Sequence, residues 1–271
     1  MSDAPPLAEL LRWYVAMGAD EAIAAQPIDR LAPPPAATPQ AAPIREAAAV
    51  APAAPRPPAA PALGRDGPAG AASARRLAAA AATLEELAAA VSSFDGCALR
   101  RTATNTVFAD GVAGAPLMVI GEAPGADEDR LGKPFVGRAG QMLDRMLASI
   151  GFDRRRNAYI TNVLFWRPPG NRKPTAEEIA ICLPFVFRHI ALLAPKVVMM
   201  SGGTATSALL GTAEGITRLR GRWFDLTVEG LARPVPALAT YHPSFLLRSP
   251  ARKNEAWRDL QSLQSRLKSA Q

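Results

Sequence analysis

Histidine and cysteine are nearly missing from this chain of 271 residues, which holds two of each. Two cysteines, Cys97 and Cys182, are too few for a disulfide framework and fit a reducing compartment. Of the histidines, His189 falls within an apolar helical stretch, which leaves His242 as the imidazole free for chemistry. No apolar run approaches the roughly 18 residues of a membrane span. Nor does the N-terminus show the basic start and apolar core of a signal peptide. These absences predict a cytoplasmic protein with no membrane contact, and a monomer is expected.

What is abundant is proline, 26 residues, together with long alanine runs. Residues 32–83 are almost entirely Ala, Pro, Gly and Arg, too poor in large apolar groups to offset the entropy of ordering them. The composition predicts an extended, partly polyproline linker there. Before it, over residues 1–31, Leu7, Leu10, Leu11, Tyr14, Val15 and Met17 suit one face of a short helix. That segment reads either as a weakly structured terminal helix or as a docking peptide for a partner. Residues 84–271 are left as one domain of ordinary size. Charge is split the same way. Residues 1–90 carry 7 basic and 9 acidic side chains, whereas the rest carry 24 and 15, so the folded part is the basic part and favours a polyanionic partner.

Within the domain, short apolar runs alternate with helix-period stretches. Runs at 116–120, 157–162, 196–200 and 235–241 read as strands, and stretches at 139–147, from Thr175, through Leu210 and over 253–267 read as helices. Thr175 with Glu178 forms a capping box that marks the start of the longest internal helix. Alternation of this kind predicts an α/β fold, a three-layer α/β/α sandwich around a mostly parallel four-stranded sheet. Ligands of such sheets bind at the carboxyl ends of the strands. Two polar motifs sit at such ends, Gly121-Glu-Ala-Pro-Gly125 and His242-Pro-Ser244. At a third, Gly202 and Gly203 open a helix, where backbone amides suit a phosphate or simply form a tight turn.

Three motifs, taken in order, resemble those of family 4 uracil-DNA glycosylases. The first is Gly121–Gly125 followed by Glu128-Asp129, Gly132–Gly137 and Ala139-Gly140; the second is Thr161-Asn162 with Arg167-Pro-Pro169 and Asn171; the third is His242-Pro-Ser-Phe-Leu-Leu-Arg248. The likeness runs from about Phe94 to Leu267. It implies an enzyme that flips uracil out of DNA and hydrolyses its N-glycosidic bond, leaving an abasic site. Scission builds positive charge on the sugar and negative charge on the base. By resemblance, His242 donates a hydrogen bond to the departing uracil, and Glu122 faces the sugar and the water. The motif position taken by Asp or Asn in other families is Ala123 here, as in family 4, so Glu128 and Asp129 are candidates to share the acidic work. Gly121, Ala123, Pro124 and Gly125 form the loop against the substrate, Phe135 stacks on the base, and Asn162 reads its edge. Glu128 is also the candidate to crowd C5 and exclude thymine. DNA contacts are expected at Gly137, Arg138, Arg167, Gly203, Thr204, Ser244, Leu246, Leu247 and Arg248, the leucines filling the vacated stack. Arg172, Lys173, Arg218, Arg220 and Arg222 add charge on loops.

The chain departs from the family at its iron–sulfur cluster. Of the four cysteines expected, only Cys97 and Cys182 are present; Phe94 and Trp166 stand at the other two positions. Two thiolates cannot hold a cubane that takes about four, and adding His189 still falls short of the usual zinc set. The expectation is therefore no cluster, no metal and no other cofactor. Against the enzyme reading stand two alternatives of the same fold: a weak or inactive nucleic-acid-binding module, and an accessory domain of a DNA polymerase.

Overall fold

The computed structural model describes residues 68–269. The helical segment expected over 1–31 and most of the expected linker lie outside the described residues. The linker's last part is a helix instead, α1 (Pro68–Ala80). Composition misled here because alanine offers little apolar area yet has the highest helix propensity. Ala71, Ala74 and Ala78 recur at helical spacing and are buried, as is Ala81 just beyond the helix. Arg188 fixes the helix end by donating from Nε and Nη2 to the Ala81 carbonyl at 2.9 and 2.7 Å.

Helices α2 (Leu84–Ser93) and α3 (Leu99–Thr102) follow, and Thr83 caps α2 by accepting from the Glu86 amide at 3.1 Å. The α/β alternation then begins. Its elements are β1 (Asp110–Gly111), β2 (Leu117–Gly121), α4 (Ala126–Leu131), α5 (Arg138–Ala148), β3 (Ala158–Asn162), α6 (Ala176–Leu193), β4 (Val197–Ser201), α7 (Gly203–Leu210), α8 (Ile216–Leu219), β5 (Trp223–Leu226), β6 (Val235–Thr240), α9 (Pro243–Arg248) and α10 (Lys253–Ser269). The capping box of Thr175 and Glu178 opens α6 as its sequence requires.

The sheet has six strands rather than four, in the order β1-β3-β2-β4-β6-β5. Its four inner strands are parallel, and all four match the apolar runs. The two extra strands are antiparallel edges. They escape the sequence because β1 has two residues, Asp110 and Gly111, and β5 is half exposed, so neither reads as an apolar run. Each inner strand feeds both faces through its period of two. Met118, Ile120, Val198, Met200, Ala237 and Ala239 face the core that also takes in buried residues of α1, α2, α6 and α7. Leu117, Val119, Val197, Met199 and Leu238 pack under α5 and α10.

This topology creates a crevice. The chain leaves β2 for α5 on one face and leaves the neighbouring β4 for α7 on the other, so the connections part above the sheet. Such a switch point is where open α/β sheets bind their ligands.

Candidate active site

A cavity of about 480 Å³ opens at this switch point. Glu122, Ala123, Pro124, Gly125, Glu128, Phe135, Asn162, Gly203, His242, Ser244 and Arg248 line it. The two polar motifs, 120 residues apart in the text, thus meet in one site.

Close approach at its floor depends on missing side chains. A Cβ on Gly121 would lie 2.4 Å from the Phe135 ring and 2.5 Å from Asn162 Oδ1, so glycine is what lets both stand over the end of β2. Gly202 has φ +96°, and a Cβ there would meet the His242 Cβ at 2.8 Å. Register places Asn162 directly beside Gly121, at the ends of β3 and β2.

His242 is the N-cap of α9. Pro243, at the first helical position, has no amide hydrogen, so the Ser244 amide is the first that needs an acceptor. The ring supplies it: Nδ1 accepts from the Ser244 amide at 3.2 Å and from its hydroxyl at 2.8 Å. The neutral ring therefore carries its proton on Nε2. Burial, aided by Arg248, pushes its pKa down to about 4, so the imidazole is neutral at physiological pH. Phe135 stands beside it, ring centres 5.5 Å apart.

The acidic residues separate into different tasks. Glu122 is half-buried, and its Oε2 accepts from the Thr204 hydroxyl in the first turn of α7. Glu128 is buried, and its carboxylate bridges two loops, accepting from the amides of Gly125 at 3.1 Å and of Val136 and Gly137 at 2.9 Å each. It does reach the cavity wall. Asp129 does not: its Oδ1 accepts from the amides of Thr104 and Asn105 at 2.8 and 3.2 Å, which corrects the expectation that it shares the acidic work.

Two expected DNA contacts and one expected loop cation also change. Leu246 is 1% exposed and packs in the core with α5 and α10, so it cannot fill a DNA stack. Leu247 is half-buried, and Phe245 lines the cavity. The Thr204 hydroxyl is used on Glu122 rather than kept for a phosphate. Arg220 is locked by the buried carboxylate of Asp259, through Nε at 3.1 Å and through Nη2, and so is not a free loop cation. Arg172 pairs with Glu178 at the rim, where Lys173 and Asn171 also line the cavity. Arg138 and Gly137 open α5 without lining it. Arg167 donates from Nε to Asn171 Oδ1 at 2.7 Å.

The position of the family's cluster is filled by apolar side chains. Phe94 and Trp166 are both buried, their rings 6.3 Å apart and stacked, with Phe185 edge-on to Phe94 at 5.2 Å. Trp166 Nε1 donates to Thr106 Oγ1 at 3.0 Å. Cys97 and Cys182 are buried thiols outside any disulfide. A hydrogen bond with Cys97, then burial, pushes the Cys182 thiol well up, away from the thiolate that binds iron. These residues do not fit a cubane.

What the sequence did not flag is Arg154, 12% exposed and bonded to four different residues around the Phe135 loop. Its only signal is a run of three arginines, 154–156.

Residues 108–261, more than half of the chain, match the profile of the Uracil DNA glycosylase superfamily. The chain is similar to the type-4 uracil-DNA glycosylase of Pyrobaculum aerophilum, 37% identical over 63% of this chain and 87% of the relative. It is 39% identical to that of Archaeoglobus fulgidus over 62% of this chain and 84% of the relative. With that of Thermotoga maritima it shares 40% identity over 61% and 82%. The chain is a member of the uracil DNA glycosylase superfamily.

Proposed function

We propose that the protein excises uracil from DNA by hydrolysing the N-glycosidic bond, leaving free uracil and an abasic site. One observation carries the reading: Nδ1 of His242 is committed to Ser244, so the proton on Nε2 is offered to a cavity that also holds Glu122.

In the proposed mechanism the flipped nucleotide enters with its base between Phe135 and the His242 side. The bond between C1′ and N1 lengthens, its electron pair passes to the base, and charge develops on the O2 and N1 edge. The Nε2–H of His242 donates to that oxygen without giving up its proton, as a preorganised donor aimed at developing charge. Glu122, which lines the same cavity, offsets the cationic sugar and accepts a proton from the water as its oxygen bonds to C1′, and the uracil anion takes up a proton as it is released. The Thr204 hydroxyl holds one of the Glu122 oxygens, which leaves the other for the water. Asn162 both donates and accepts along the O4 and N3 edge. Glu128, tied to three amides, holds the loop wall that faces C5. Ser244 and Arg248 take the DNA backbone, and Leu247 with Phe245 supports the emptied stack.

The chemistry runs without a metal or a cluster, and the protein acts as a cytoplasmic monomer. Purified protein is expected to show no broad absorbance near about 400 nm; such a band, bleached by dithionite, would overturn the cluster-free reading.

The test is a labelled oligonucleotide with a single uracil, treated with the protein and then with alkali. Breakage at that position is expected. A strand bound but left uncut would favour a binding module instead.

A further inference from the structure

Phe135 has an unusual backbone for a residue with a side chain, φ +53° in the left-handed region. The loop is pressed onto α5 so closely that a Cβ on Gly140 would lie 1.9 Å from the Phe135 carbonyl oxygen. Something must hold this conformation. The guanidinium of Arg154 does so without lining the cavity. Its Nη1 donates to the Pro134 carbonyl at 3.0 Å and its Nη2 to the Phe135 carbonyl at 2.7 Å. Asp110 and Asp144 aim the fork in turn, accepting at 3.0 Å from Nη1 and 2.9 Å from Nε.

We propose that Arg154 is a positioning residue for uracil excision: it locks the Phe135 loop so that the aromatic ring is already set as the platform on which the flipped base stacks. The inference rests on the proposed role of Phe135. Charge alone is not enough for the task. Two carbonyls and two carboxylates surround a planar group with five donors, whereas a lysine ammonium carries three donors at a single point. A loosened loop lets the ring swing out of the plane in which base and His242 must meet, so binding energy is spent on ordering it.

The experiment is a double-mutant cycle on full-length protein, reading kcat/KM on a single-uracil oligonucleotide, with thermal unfolding recorded for each variant. Phe135→Ala and Arg154→Ala are each expected to lose activity by about tenfold or more, and the double variant to lose no more than Phe135→Ala alone, because residues acting through one contact are not additive. Arg154→Lys should fold and still lose most of what Arg154→Ala loses, which keeps the test open if Arg154→Ala does not fold. The proposal is overturned if Arg154→Lys keeps full activity, or if the Arg154 loss repeats undiminished in the Phe135→Ala background. If Phe135→Ala itself cleaves normally, the stacking role of Phe135 fails first and takes this inference with it.

Discussion

At the scale of the residue, the proposed reaction rests on two side chains that the fold brings to one cavity from the ends of different strands. His242→Ala removes a donor whose partner charge exists mainly in the transition state. Excision should therefore slow by about 10²–10³ while DNA affinity is nearly kept. Single-turnover rates beside a binding isotherm check this, and a small rate change would remove His242 from the mechanism. Asn162→Asp replaces an amide that both donates and accepts with an acceptor-only carboxylate. Discrimination for uracil should weaken, measured as the ratio of cleavage at uracil to cleavage at other bases, and an unchanged ratio would discredit the reading role. Why these residues were legible and others not is a matter of range. Glu122, Asn162 and His242 each follow an apolar strand, so local order points to them. The use of Thr204 on Glu122, across 82 positions, has no local trace, and neither does the diversion of Asp129 to Thr104.

At the scale of the element, the four inner strands and their helices could be read because each buries enough apolar surface to imprint a period on the text. The edge strands could not, and α1 was hidden for the opposite reason: alanine makes a helix without making a hydrophobic pattern. Its packing is nonetheless specific. Ala74 is fully buried against the α6 side, whereas Ala79 on the same helix is exposed. Ala74→Glu would force a carboxylate into that seam and detach α1, uncovering the Ala71, Ala74, Ala78 and Ala81 methyls. At roughly 0.8 kcal/mol per buried carbon, the loss is about 3 kcal/mol. That corresponds to a fall of about 6–12 °C in Tm for a domain of this size. Ala79→Glu should leave the melting curve in place. Equal melting of the two variants would show that α1 contributes nothing to the domain.

At the scale of the whole molecule, both histidines are held neutral in the fold, and this makes its stability depend on pH in a definite direction. His189 is fully buried, bonded through Nε2 to the Tyr159 hydroxyl at 2.8 Å and stacked on Phe108, and burial pushes its pKa down to about 3. For His242 the value is about 4. In the unfolded chain both titrate near 6.5. Between pH 6.5 and 4 the unfolded state therefore binds protons that the folded state refuses, so stability rises with pH across that window and falls as the medium is acidified. From pH 6.5 to 5, above the range where most carboxylates titrate, each histidine should remove about 1.6 kcal/mol. Together that is a large part of the stability of a typical domain. Urea unfolding at pH 6.5 and at pH 5 measures the loss directly. His189→Gln removes one of the two titrations, so its loss over the same interval should be about half that of the parent, whatever its absolute stability. A variant that loses as much as the parent would mean that the buried imidazole of His189 takes up its proton without unfolding the domain.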